Sequence, residues 1–282
     1  MAAPRVLREG IVFGESPRWH DGRLWFCDWG ARQVLAVAPD GTGEVVLEVD
    51  FDSMPMCIDF LPDGRLLVVC SPRQQLLRRE TDGTLVVHAE LGEVSDQPWN
   101  EVVCDGGGRA YLNNTGFDFP REPAAPGLLA VVDGDGAARE LAGDVHFPNG
   151  MALTADERTL LVGESHASRV TAFDIDGDGG GLRNRRVWAE TPGDHPDGIA
   201  LDASGALWYA DVGNARCVRI GEGGEVLDTV QLDRGCFSCA LGGADGHTLF
   251  IVAQRYGGAP GSEPPSGQLL AVEVPVPGAG WA

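Results

Sequence analysis

Apolar residues in this chain come in short alternating runs separated by polar turns, and the runs repeat. The clearest set opens at Ser16-Pro17-Arg18-Trp19, turns at His20-Asp21-Gly22 and continues through Leu24-Trp25-Phe26-Cys27-Asp28. Two further strands are predicted over Gln33 to Ala38 and Glu44 to Val49, with Pro39-Asp40-Gly41-Thr42-Gly43 between them. Short runs of period two, bounded by Asp-Gly turns, predict an antiparallel hairpin meander.

The same unit returns six times, anchored by Trp25, Leu67, Tyr111, Leu161, Trp208 and Phe250 at intervals of 42, 44, 50, 47 and 42 residues. Repeats of this length with four short strands each cannot bury both faces alone, and they predict an all-β fold, a six-bladed β-propeller with four antiparallel strands per blade. The whole chain, 1–282, is expected to form this one domain. The last unit supplies only three strands, Cys239 to Leu241, Thr248 to Gln254 and Leu269 to Val274. Arg5-Val6-Leu7-Arg8 is expected to provide the fourth, closing the ring by pairing the two ends of the chain and removing an open sheet edge.

About ten to twelve residues before each anchor lies the start of the preceding strand, which in a propeller lines the central channel. Those positions read Glu15, Cys57, Asn100, Asn149, Asp197 and Cys239. Two carboxylates and two amides brought to one axis are hard oxygen donors of the kind a divalent cation such as Ca2+, Mg2+ or Mn2+ takes. Asp197-Gly198 in isolation reads as a turn from backbone preference; its place in the repeat reads instead as a site.

Composition narrows the function. With 21 Lys and Arg against 42 Asp and Glu the net charge is −21, which repels nucleic acid and anionic membranes. Every one of the 21 basic residues is arginine, so Schiff-base chemistry through lysine is excluded. No signal-like segment and no run of about 18 apolar residues is present, and the chain reads as cytoplasmic. Seven scattered cysteines fit reduced thiols, with Cys236-Phe237-Ser238-Cys239 as packing in place of a zinc or redox pair. Asp174, Asp176, Asp178 and Gly179 mimic the start of a calcium loop but end on Arg185, and read as a hairpin turn. The connections 113–126 and 254–267 are long and carry Pro and Gly, as substrate covers or simple insertions do.

Several segments together resemble the gluconolactonase and senescence marker protein (regucalcin-like) family. They are Gly14-Glu15-Ser16-Pro17-Arg18-Trp19, Trp99-Asn100-Glu101-Val102-Val103-Cys104-Asp105, Phe147-Pro148-Asn149-Gly150-Met151-Ala152, Pro196-Asp197-Gly198-Ile199-Ala200-Leu201-Asp202 and Cys239-Ala240-Leu241-Gly242-Gly243. The resemblance implies one divalent metal held by Glu15, Asn149 and Asp197, with Ca2+ placed first and Zn2+, Mg2+ or Mn2+ as alternatives. It further implies Asp197 as the base, and Asn100 and Glu101 beside the substrate. Pro98 stands where many sugar lactonases of the family carry an arginine, and Asn114 is a candidate for part of that task. His166 and His195, close in sequence to ring positions, are candidate substrate contacts or proton relays.

The function expected is a metal-dependent hydrolase that opens a lactone, a sugar lactone or related cyclic ester, with a metal-activated water. Its partner is a small-molecule substrate, with no nucleic acid and no membrane, in a monomer or weak homo-oligomer. Two alternatives stay open: a repurposed propeller enzyme of specialised metabolism resembling strictosidine synthase, and a non-catalytic binding or calcium-binding propeller.

Overall fold

A computed structural model describes residues 3–52, 54–177, 179–256 and 264–280. These form six four-stranded antiparallel sheets. The chain begins with β1 (Arg5–Ile11). The first blade is β2 (Gly14–His20), β3 (Arg23–Asp28), β4 (Gln33–Val37) and β5 (Gly43–Glu48). The second is β6 (Ile58–Phe60), β7 (Leu66–Cys70), β8 (Gln75–Arg79) and β9 (Leu85–Glu90), and the third β10 (Trp99–Cys104), β11 (Ala110–Asn114), β12 (Gly127–Val132) and β13 (Ala138–Val145). The fourth is β14 (Pro148–Leu153), β15 (Thr159–Glu164), β16 (Arg169–Ile175) and β17 (Leu182–Glu190), and the fifth β18 (Pro196–Leu201), β19 (Leu207–Asp211), β20 (Arg216–Ile220) and β21 (Val226–Gln231). The sixth is β22 (Gly235–Gly242), β23 (Thr248–Gln254) and β24 (Gly267–Glu273), completed on its outer edge by β1.

The predicted closure is therefore present: Arg5 pairs with Ala271 and Ile11 with Gly267, so the first strand of the chain hydrogen-bonds to the last. The first strands of successive blades, β2, β6, β10, β14, β18 and β22, pack against one another around the axis, and β22 returns to β2.

The core is divided into six clusters, one between each pair of neighbouring blades. In β7, Leu67 and Val69 face the third blade while Leu66, Val68 and Cys70 face the first. Both faces of the middle strands are thus buried, which is why Leu66-Leu67-Val68-Val69-Cys70 is a continuous apolar run. The outer strands face water, and β9 and β21 each bury a single residue, Ala89 and Val230. Outer hairpins close on Asp-Gly turns. The Asp40 and Asp82 side chains accept from the backbone N–H two residues on at 2.9 Å, and Gly41 and Gly83 follow at φ 89° and 88°. All seven cysteines are buried free thiols, and Cys236 and Cys239 share a cluster with Cys217. Asp174, of the calcium-loop mimic, is held by Asn184 and Arg186; position 178 and positions 257–263 of the second long connection lie outside the described residues.

Candidate active site

Glu15, Asn100, Asn149 and Asp197 each stand near the start of an innermost strand, within a register irregularity. Glu15 is opposite Cys27, and pairing resumes at Arg18 opposite Trp25. In the fourth blade Pro148 is opposite Glu164 and Met151 opposite Val162; in the fifth Pro196 is opposite Asp211 and Ile199 opposite Tyr209. Trp99 opposite Asn114 and Glu101 opposite Asn113 place Asn100 in the same way. An extra residue in one strand breaks the pleat and re-aims a side chain. In the first blade Ser16 carries the kink, at φ 52°, a left-handed conformation that costs energy for a residue with a Cβ.

The glycines after two of these residues serve close approach and not turns. A Cβ on Gly150 would lie 2.5 Å from the Ile199 backbone nitrogen and 2.6 Å from the Asp197 carbonyl, and one on Gly198 would overlap the Ser238 hydroxyl. Asn149-Gly150 and Asp197-Gly198 are therefore strand segments in which neighbouring inner strands nearly touch.

Two carboxylates meet here. Glu15 is 8% exposed, and burial first, then the charges of Asp197 and Glu101, push its carboxyl well above the ordinary range. Asp197 is raised in the same direction by burial and then by Glu101, although the Asn149 side chain pulls it down. The Oδ1 of Asp197 is buried and has no hydrogen-bond partner. The Asn149 amide donates to Ser165 Oγ at 3.4 Å, Ser165 Oγ donates to the Pro196 carbonyl at 2.6 Å, and His195 Nδ1 sits 2.8 Å from the Ser165 carbonyl. Because a carbonyl only accepts, that contact places the His195 proton on Nδ1 and leaves Nε2 as an acceptor in the neutral ring.

Deeper in the channel lies a second set of charges that the spacing argument did not find. Arg18 Nη2 donates to Glu101 at 2.8 Å and to the Val102 carbonyl at 2.8 Å, and its Nε is 3.7 Å from Asp59. Burial alone would lower the Arg18 pKa, but Glu101 and Asp59 outweigh it and hold the guanidinium protonated. Burial raises the Asp59 carboxyl to about 6 despite Arg18 and the Cys104 N–H. Glu101 also accepts from its neighbour Val102 N–H at 2.9 Å, so its carboxylate is engaged inside the protein. The sequence signal was available in the quoted segments, where Arg18 follows Glu15 by three residues and Glu101 follows Asn100.

Other candidates take distinct places. Asn114 is 1% exposed at the end of β11, the position that Asp28, Glu164 and Asp211 occupy in other blades, and its Nδ2 lacks a partner. Its neighbour Asn113, unremarked in the sequence, donates to the Asn149 carbonyl at 2.7 Å and so fixes that strand start. Asn100 donates to the Pro148 carbonyl at 3.3 Å. His166 is exposed and stacks on Phe147 at 4.5 Å, its pKa lowered by burial and by His195 and His146.

Two ring positions need correction. Pairing of Ile58 with Val68 makes Met56, and not Cys57, the second blade's counterpart of Asn149. Pairing of Gly235 with Gln254 and Ser238 with Val252 makes Cys236, and not Cys239, the sixth blade's counterpart of Asp197. Counting back a fixed distance from the anchors fails there because strand and turn lengths differ between blades. Cys57 Sγ contacts the Asn100 carbonyl, and Cys239 Sγ lies 3.6 Å from the Gly198 carbonyl, so both thiols seal inner strands to their neighbours.

The donor set suits a hard cation. Two carboxylates with raised pKa values, an amide whose nitrogen is committed to Ser165, and an orphaned carboxylate oxygen describe a pocket short of positive charge. Among the described residues no three His, Cys, Asp or Glu side chains gather closely enough to hold an ion by themselves.

A propeller with acidic and amide side chains converging at one end of its channel defines a class in which the site is assembled from separate blades. Residues 13–255 match the SMP-30/gluconolactonase/LRE-like region, and the chain belongs to that family. It is 29% identical to a 6-deoxy-6-sulfogluconolactonase of Pseudomonas putida over 97% of this chain and 95% of that protein. It is 27% identical to the regucalcin of Danio rerio over 89% and 86% of the two chains. Among solved structures, a regucalcin of Agrobacterium tumefaciens described as calcium-binding has the same fold, with a TM-score of 0.82 at 23% identity over 98% of this chain and 95% of that one. Among the described residues no helix is long and apolar enough to cross a membrane.

Proposed function

We propose that this chain hydrolyses lactones at the channel mouth, with a divalent cation held by Glu15, Asn149 and Asp197. The observation that carries the reading is the meeting of Glu15 and Asp197, both raised in pKa, beside an Asp197 oxygen without a partner. Two neighbouring carboxylates, one of them buried, are costly unless a cation or protons neutralise them, and the relatives named as lactonases supply the reaction class. When bound, the cation supplies Lewis acidity toward a carbonyl oxygen. Hard oxygen donors favour Ca2+, with Mg2+, Mn2+ and Zn2+ as alternatives.

The protein's own residues then have definite tasks. Water adds to the lactone carbonyl carbon, the acyl C–O bond of the ring breaks, and the proton leaving the water passes to Asp197 and on to the ring alkoxide, giving a hydroxy acid. Asp197 suits this role because its Oδ1 has no hydrogen-bond partner inside the protein and is free to accept a proton. Asn100 positions substrate from the third blade, and His195 Nε2 accepts a proton or a substrate hydroxyl. Arg18 and Glu101 act through position, Arg18 keeping Glu101 from adding its full charge to the site.

Elemental analysis of purified protein, followed by a pH-release assay on gluconolactone and aliphatic lactones with and without chelator, tests the reading. Stoichiometric divalent metal with chelator-sensitive hydrolysis is expected. Metal-free protein with undiminished hydrolysis would remove the cation from the proposal, and no hydrolysis with any of the four metals would remove the reaction.

A further inference from the structure

The mouth of the channel carries two aromatic walls that the chemistry above does not use. One joins the third and fourth blades. Phe147 stacks on His166 at 4.5 Å, Phe119 meets Phe147 edge-on at 5.4 Å, and Phe117 lies 5.7 Å from Phe147. The other joins the sixth and first blades, with Phe13 stacked on Trp29 at 5.2 Å and edge-on to Phe237 at 5.0 Å, and Tyr256 5.6 Å from Phe237. In a ring of six, blade one faces blade four and blade six faces blade three, so the walls stand opposite each other.

Both are continuous with the site. Phe147 is separated from Asn149 by Pro148 alone and Phe13 from Glu15 by Gly14, while His166 follows Ser165, which receives the Asn149 amide. Phe119 is 50% and Tyr256 39% exposed, so each wall offers an open aromatic edge above a polar floor. A few convergent polar groups ringed by aromatic faces characterise a pocket for an apolar ligand.

Three of the polar groups bordering the floor hold backbone carbonyls of the protein. Asn100 holds the Pro148 carbonyl, Asn113 the Asn149 carbonyl and His195 Nδ1 the Ser165 carbonyl. A chain of net charge −21 disfavours an anionic substituent on the substrate.

We propose that the preferred substrate is an aryl-substituted lactone, its carbonyl over Glu15, Asn149 and Asp197 and its ring against Phe119, Phe147 and His166. This rests on the lactonase reading. Reaction with water opens the ring ester at the acyl C–O bond and yields a hydroxy acid that keeps the aryl group. Binding of the aryl group stabilises ground and transition states alike, so its effect falls mainly on KM.

Steady-state kinetics on γ-phenyl-γ-butyrolactone, γ-butyrolactone and gluconolactone test it, using the metal-loaded protein, Phe119→Ala, Phe119→Leu and Tyr256→Ala. The phenyl lactone is expected to exceed γ-butyrolactone by about tenfold or more in kcat/KM. Phe119→Ala should lower that ratio by about fivefold or more through KM, and Phe119→Leu should lower it less. Equal or better turnover of gluconolactone, or a ratio unmoved by Phe119→Ala, would overturn the proposal. If no lactone is hydrolysed the lactonase reading fails. The aromatic subsite is then decided by calorimetric titration of the phenyl lactone and of 4-hydroxy-4-phenylbutanoate. Binding that Phe119→Ala weakens by about fivefold sustains it, and absence of binding ends it.

Discussion

The guanidinium of Arg18, from the first blade, reaches past the second blade to the Glu101 carboxylate of the third at 2.8 Å, with both side chains 6% exposed. Replacing Arg18 with Met leaves Glu101 and Asp59 buried without their counter-charge, and is expected to cost about 3–5 kcal/mol in denaturant unfolding. Arg18→Met with Glu101→Gln should recover part of that loss. Equal stability of the single variant and the wild type would show that the pair contributes nothing.

Asp197→Asn separates the two roles of that residue. Catalytic turnover should fall by about 10²–10⁴-fold in a lactone assay. Chelator-treated Asp197→Asn should nonetheless melt several degrees above chelator-treated wild type at pH 7, because one of two mutually repelling carboxylates is gone. A lower melting temperature would mean that the carboxylates are not in conflict in the metal-free protein.

Asp59 titrates near 6 in the folded chain against an ordinary 3.8, so the folded state holds its proton more tightly than the unfolded state. Its contribution is therefore most favourable below about pH 4 and is lost as pH rises through about 6, by up to about 3 kcal/mol. Asp59→Asn removes this group's share of the slope. Urea unfolding at intervals between pH 4 and 7 should show a shallower decline for the variant, whatever its absolute stability.

Gly150→Ala inserts a methyl group 2.5 Å from the Ile199 nitrogen, where only backbone is available to move. A destabilisation of about 1–3 kcal/mol is expected, together with weaker metal binding, because the strands carrying Asn149 and Asp197 are forced apart. Calorimetric metal titration beside thermal melting measures both effects.

Removal of residues 1–11 takes away β1 and leaves β24 as an open edge. Lower melting temperature and concentration-dependent aggregation should follow. An unchanged melting curve would mean that the ring does not depend on pairing its ends.

Much of the architecture is legible in the linear chain because strand formation follows a period-two pattern and local turn chemistry. The runs from Leu24 to Asp28 and from Leu66 to Cys70, with Asp40-Gly41 and Asp82-Gly83 between hairpins, specify strands and turns from neighbours in sequence. The repeat then sets the number of blades, and Arg5 to Arg8 supplies the missing strand. Glu15, Asn149 and Asp197 were likewise visible as equivalent positions of separate repeats.

Only the tertiary structure decided what surrounds them. Differing strand and turn lengths moved the ring positions of the second and sixth blades from Cys57 to Met56 and from Cys239 to Cys236, since register depends on the partner strand and not on counting. The glycines of Asn149-Gly150 and Asp197-Gly198 look like turn residues, and what they accommodate is another strand's backbone or side chain. The Arg18, Glu101 and Asp59 cluster and the two aromatic walls draw on residues far apart in the chain. Burial and charge act on whatever lies nearest in space, and a single sequence carries no local pattern for that.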